Sequence, residues 1–255
     1  MDLDDPRQRT VFFELHQGLP REGPGSRSCT RRALERVGPL PPAPAVLDVA
    51  CGPGMQTLDL ALLLPQARIT AVDLHPGFVQ EARRRVQAQG WDDRIEVLEG
   101  DMRALPFGPA SFDLVWCEGA AYIMGLTDAL RAWAPLLRDH GRIALTEIAW
   151  LRDDVPAALR EGWEADYPAM TDVEGCRTRV REAGLVLVDD FVLPESAWWD
   201  DYYRPLEARL EQLERTHAGD PAAEVVLQGH RDEIEMYREL STYYGYVFFV
   251  LKLPE

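Results

Sequence analysis

The chain has 255 residues and a formal net charge of −16, from 43 acidic against 27 basic side chains, and 46% of its residues are hydrophobic. That length can bury a substantial core, and the apolar fraction is ordinary for a globular protein. The acid excess argues against a nucleic-acid partner, which needs a basic surface to displace counterions, and no run of 18 apolar residues is present to span a bilayer.

The first residues, Met1-Asp2-Leu3-Asp4-Asp5-Pro6, carry no apolar stretch of the secretory kind, so the cytoplasm is the expected compartment. Lys252 is the sole lysine beside abundant Arg, Ala, Gly and Pro, a bias that points to a GC-rich bacterial genome. Cys29, Cys51, Cys117 and Cys176 form no C-x-x-C pair and lack zinc spacing, so reduced thiols and no metal are expected. Cys51 and Cys117 fall at strand ends, where small packing residues compete with a thiol role.

In chain order, residues 1–28 read as a separate segment, with a short helix around Val11 to Leu15 and a Gly/Pro-rich loop from Gly18 to Ser26. A helix begins at Arg31, and Pro39 to Pro44 connects it to an apolar strand, Ala45 to Val49. Helices are predicted near 57–64, 76–89, 127–138 and 171–183. Strands are predicted at Ile69 to Asp73, Ile95 to Leu98, Ser111 to Glu118, Arg142 to Ile148 and Leu185 to Phe191. Such alternation implies a mostly parallel sheet with helices on both faces. Residues 150–170 form one insertion. Two further helices, about 200–217 and 221–240, follow Pro194, with Gly219 and Pro221 as stop and start signals between them.

The most informative stretch is Val46-Leu47-Asp48-Val49-Ala50-Cys51-Gly52-Pro53-Gly54-Met55-Gln56-Thr57. A strand runs into a glycine turn and then a helix, a geometry in which backbone N–H groups closely approach a ligand. Asp48 would repel a pyrophosphate and attract a ligand carrying an ammonium and a sulfonium. Thr57 stands where a dinucleotide loop has its third glycine. The loop therefore favours S-adenosylmethionine over NAD. Asp73 ends the second strand 19 residues beyond Gly54, where a carboxylate suits a ribose diol, and Leu74 follows it. Asp101 is placed to accept from an adenine amino group and Met102 to pack on the ring. Helix capping is the alternative for Asp73 and Asp101, and core packing for Met102. Glu118 ends the fourth strand at the same edge.

Together these segments resemble the class I S-adenosylmethionine-dependent methyltransferases over residues 30–192. Trp116-Cys117-Glu118-Gly119-Ala120-Ala121-Tyr122, with Gly18-Leu19-Pro20-Arg21 through Ser26 and Tyr243 to Phe249, is similar to a bacterial ubiquinone/menaquinone-methyltransferase-like subgroup. The resemblance implies a doubly wound, Rossmann-like α/β fold. Its seven-stranded, mostly parallel sheet would have helices on both faces, with residues 1–255 forming one methyltransferase domain. Within it, 1–28 is a lid segment whose Gly25-Ser26 loop folds back on the cofactor. Residues 29–192 are the cofactor-binding core, 193–242 a helical cap, and 243–255 hold a last strand inserted antiparallel between the fifth and sixth. The cofactor residues so implied are Asp48, Gly52, Gly54, Gln56, Asp73, Leu74, Asp101, Met102, Glu118 and Ser26.

Methyl transfer from a sulfonium needs alignment, exclusion of water and, for some acceptors, removal of a proton. Glu118, His16 and Tyr122 are the candidates for that proton. An aromatic and acidic set, Trp150, Trp163, Tyr167, Trp198, Trp199, Asp200, Tyr202 and Tyr203, either lines an acceptor pocket or anchors the insertions. The expected activity is transfer of a methyl group to O, N or C of a small-molecule acceptor, leaving S-adenosylhomocysteine, by a monomer or homodimer without nucleic acid or membrane. A non-catalytic S-adenosylmethionine-binding scaffold or sensor is the alternative.

Overall fold

A computed structural model describes residues 1–254. Helix α1 spans Pro6–His16, capped by Asp5, whose carboxyl accepts from the Arg7 and Gln8 amides. It is longer than the predicted turn and a half because Pro6 starts it and the apolar residues Val11 and Leu15 mark only its inner face. Helix α2, Arg27–Val37, is capped by Ser26, whose hydroxyl accepts from the Cys29 amide.

The core then alternates. Strand β1 is Ala45–Val49, helix α3 Met55–Leu63, strand β2 Arg68–Asp73 and helix α4 Pro76–Gln89. Strand β3 is Ile95–Glu99, β4 Phe112–Cys117, helix α5 Leu126–Trp133 and strand β5 Leu137–Trp150. Helix α6, Ala157–Asp166, precedes the two-residue β6, Thr171–Asp172, then helix α7, Val173–Glu182, and strand β7, Val186–Val192. Helix α8, Ser196–Trp198, runs through a π turn at Trp199–Tyr203 into α9, Arg204–Thr216; α10, Pro221–Leu240, and β8, Tyr244–Lys252, follow.

The strand order is β3-β2-β1-β4-β5-β8-β7, with β8 antiparallel to both neighbours and the others parallel along this path. The sheet has eight strands where the sequence predicts seven. The extra one, β6, pairs with the end of β5 and is too short to show a period-two pattern. Strands β1 and β4 read as mostly apolar runs, and β5 is buried from Ile143 to Trp150, because helices cover both faces. Parallel register sets the site: Asp48 lies level with Ala71 and Trp116, so the acids ending β1, β2 and β4 meet at one sheet edge.

The two chain segments outside the core pack on each other. Val11, Leu15 and Leu19 join Leu206, Leu210, Leu213, Val226 and Leu227 in one apolar cluster beneath α9 and α10. Each such side chain, fully withdrawn from water, contributes roughly 1.5–3 kcal/mol. Arg7 pairs with Asp220 and His217 with Glu14, so charged contacts rim that cluster. The residues before α2 and the helices after β7 thus form one cap over the C-terminal edge of the sheet.

Candidate active site

Asp48, the last residue but one of β1, has no exposed surface, and its Oδ2 accepts from the Thr57 hydroxyl at 2.5 Å. Its Oδ1 is sealed from water with no partner. Burial pushes this carboxyl up to about 8. The following turn requires left-handed backbone: φ is 52° at Gly52 and 86° at Gly54, the residue that starts α3. A Cβ on Gly54 would stand 3.0 Å from Ala82 of α4, so that helix also needs glycine there. Gln56 folds back to donate to the Cys51 carbonyl.

Asp73 clamps the loop. Its Oδ2 accepts from the Gly52 amide at 2.8 Å and its Oδ1 from the His75 amide, so it caps no helix. Leu74 beside it is exposed. Asp101 makes a short turn, accepting from the Arg103 amide, and again no helix follows. Met102 is partly buried against the core beside Trp133, whose indole N–H donates to its carbonyl.

Glu118 lies at the tip of β4 with both oxygens engaged. Oε1 accepts from Trp116 Nε1 at 2.9 Å and the Thr30 hydroxyl at 3.2 Å; Oε2 accepts from Arg21 at 2.9 Å. Burial pushes this carboxyl up while the Arg21 guanidinium opposes the shift. Arg21 is itself buried and pairs at 2.6 Å with Asp59 of α3, which also holds Arg27. Gly25 crosses immediately above: a Cβ there would fall 2.5 Å from Glu118 Oε2, and its amide donates to the Ala197 carbonyl. Residues 21–25 therefore run across the tips of β1 and β4. Two surface grooves, beside Pro41 and between α9 and α10, do not touch the glycine loop.

Of the three proton-handling candidates, His16 is buried, with Nδ1 on Glu22 and Nε2 on His230. Tyr122 is half-buried beyond β4 and stacks obliquely on Tyr167, and burial pushes its hydroxyl up. Tyr167 donates to Glu147, which burial raises to about 7. The aromatic set divides: Trp198 stacks on Tyr237 at 4.1 Å inside the cap, while Tyr202 and Tyr203 donate to Glu233. Asp200 is exposed and pairs with Arg204. Cys51 and Cys117 have no exposed surface, and burial pushes both thiols well up. Among the described residues no three His, Cys, Asp or Glu side chains are grouped to hold a metal ion.

Sequence reasoning did not single out Arg21, Asp59, Thr30, Glu22 or His230 as site residues. For Arg21 a signal existed: an arginine inside a Gly/Pro-rich loop, where a charge has no helix face to occupy. Asp59, on the inner face of α3, broke that helix's apolar pattern.

Residues 46–141 match the family model of a methyltransferase domain. A malonyl-[acyl-carrier protein] O-methyltransferase of Legionella pneumophila is 40% identical over 88 residues, 34% of this chain and 30% of that protein. The 27-O-demethylrifamycin SV methyltransferase of Amycolatopsis mediterranei is 28% identical over 182 residues, 67% of this chain and 66% of that one. The chain thus spans less than two thirds of the length of either relative. The solved S-adenosylmethionine-dependent methyltransferase from Thiobacillus denitrificans, in complex with S-adenosylhomocysteine, superposes with a TM-score of 0.81 at 21% identity, covering 96% of this chain and 98% of that one. Residues 46–141 thus match a methyltransferase domain, within a chain that has the fold of the solved S-adenosylmethionine-dependent methyltransferases.

Proposed function

We propose that the protein transfers a methyl group from S-adenosylmethionine to O, N or C of a small-molecule acceptor. One observation carries this reading: the buried Asp48 carboxyl, with an oxygen lacking any partner, beside a glycine loop in left-handed backbone. Such a site fits a cofactor bearing positive charge, because a cation lowers the cost of ionising a desolvated carboxyl. It does not fit a pyrophosphate. Asp48, Gly52, Gly54, Gln56, Asp73, Leu74, Asp101, Met102 and Glu118 would hold the cofactor, with Ser26 at the start of α2 beside them. When bound, the cofactor supplies an electrophilic methyl group on sulfur.

The chain's own contribution is placement and exclusion of water. Register fixes Asp48, Asp73 and Glu118 at one edge, and residues 21–25 close that edge from above. Glu118 and His16 have their polar atoms committed to this closure. We assign the Tyr122 hydroxyl, which stays protonated, to orienting the acceptor. The acid excess supports a small-molecule acceptor rather than nucleic acid, and no helix among the described residues is long and apolar enough to cross a membrane. We further infer a protein of the bacterial cytoplasm acting as a monomer or homodimer.

Calorimetric titration with S-adenosylmethionine, S-adenosylhomocysteine and NAD tests the reading. The expected result is micromolar binding of the two sulfur ligands alone, followed by transfer of labelled methyl to a small molecule. Binding of NAD alone, or of none of the three by folded protein, would overturn it. Tight binding without transfer to any acceptor would favour the scaffold or sensor alternative.

A further inference from the structure

The rings of His16 and His230 meet inside the cap, Nε2 to Nε2 at 3.1 Å, and each residue is 4% exposed. His230 Nδ1 lies 2.8 Å from the Val226 carbonyl, which only accepts, so this nitrogen carries a hydrogen. In the neutral ring Nε2 then accepts, and His16 Nε2 must donate to it. That leaves His16 Nδ1 facing Glu22 Oε2 at 2.5 Å. One hydrogen must lie between these two atoms, which makes Glu22 a carboxylic acid or His16 an imidazolium. Moving the charge on to His230 leaves the count the same. The cluster holds one proton more than a carboxylate and two neutral imidazoles.

Its surroundings favour the acid form. Burial holds His16 down to about 4; burial together with nearby Asp73 pushes Glu22 up to about 9, opposed by Arg85 and His75. Tyr202 also lies near Glu22, and His230 is pushed down by burial and by His16, with Glu233 and the Met1 ammonium nearby. Phe12 stacks on His16 at 4.1 Å, and Arg85 donates to the Leu19 and Pro20 carbonyls.

Glu22 also covers the glycine loop: its Cγ would stand 3.2 Å from a Cβ on Gly52. Arg21, Glu22 and Gly25 hold the strap Leu19–Gly25 across the site, with buried Leu19 and the Arg85 bonds anchoring its start, whereas α1 is docked by its own apolar face. A cofactor exchanging at Gly52 therefore has to part Glu22 from His16. We propose that closing this strap over the glycine loop takes up one proton, which Glu22 and His16 share and His230 aligns. The proposal rests on the cofactor reading above for what the strap covers.

The sign follows from the two states. With the strap open, Glu22 returns to water and its ordinary 4.5, and His16, still docked on α1, lies no higher than its ordinary 6.5. Above 6.5 the open pair loses the proton, while the closed pair keeps it up to about 9. Closure therefore weakens by about tenfold per pH unit across that window.

The Gly25 amide, bonded at 2.9 Å to the Ala197 carbonyl, reports closure directly. Hydrogen exchange of the full chain between pH 7 and 9, corrected for intrinsic exchange, should show protection at Gly25 highest at pH 7. It should then fall about tenfold per unit, while amides of β1 stay protected. Glu22→Gln keeps a donor to His16 without titrating, so its profile should be flat. A flat wild-type profile, or the same slope in Glu22→Gln, overturns the proposal. S-adenosylhomocysteine titrated at pH 6.5 separates the two readings: absent binding with the exchange pattern intact strikes the cofactor reading alone.

Discussion

The sheet edge and the cap above it hold the same site by different means. Below, Asp48 and Asp73 stand on paired strands and bond to their own loop, within 9 and 21 residues of their partners. Above, Arg21 reaches Glu118 across 97 residues and His16 reaches His230 across 214. The lower half is set by backbone register, which shifts only if the sheet does. The upper half hangs on side-chain contacts that can be broken one at a time. A site that must admit and release a charged molecule needs one rigid wall and one releasable one, and the division falls along this line.

The largest effect is expected at Arg21. Arg21→Ala leaves Asp59 and Glu118 buried with their common cation removed, and breaking a buried pair costs about 3–5 kcal/mol. Thermal melting should show the loss, and affinity for S-adenosylhomocysteine should fall with it; an unchanged melt would mean that the strap is not held from Arg21. On the rigid wall, Asp73→Ala should weaken cofactor binding by roughly 1–3 kcal/mol through a lost charged hydrogen bond. Unaltered affinity by calorimetry would remove Asp73 from the site.

A pH series sharpens the contrast. The Asp48 carboxyl is raised on folding from 3.8 to about 8, so the folded chain holds a proton there that the unfolded chain has lost. Its contribution to stability is complete below pH 3.8 and fades as pH rises through about 8, by up to about 1.4 kcal/mol per unit. Asp48→Asn should remove that part of the slope from chemical denaturation curves. A slope equal to wild type would show that other buried carboxyls dominate. The smallest effect belongs to Arg7→Ala at the cap's outer rim. Its exposed pair with Asp220 should be nearly silent in melting and in cofactor affinity.

The rigid wall was largely legible in the sequence. A strand, two glycines and an acid at each of two strand ends form a local pattern, and the helix at 221–240 was bounded correctly by Asp220-Pro221 and Leu240. Asp73 was readable as an acid at the site, though its bonds to Gly52 and His75 were not. The releasable wall was much less legible. Arg21 and Asp59 look like ordinary surface charges until the fold places them 2.6 Å apart and buried. His16 was visible as a candidate, but its partners lie 6 residues away in a loop and 214 away on a helix. The insertion and the N-terminal segment read as separate additions because nothing in either sequence announces that their apolar faces fit each other.

The place of β8 in the sheet has a consequence for how the chain is assembled. This strand is made after all the elements described above, yet it sits between β5 and β7. A nascent chain stopped short of Tyr244 has two open strand edges and, on α1 and α10, apolar faces already made. Such an intermediate can recruit other chains through those edges. Translation pauses just before the codons of Tyr244–Lys252 should therefore be more damaging to yield than pauses in the glycine-loop half, whose strands pair as they emerge.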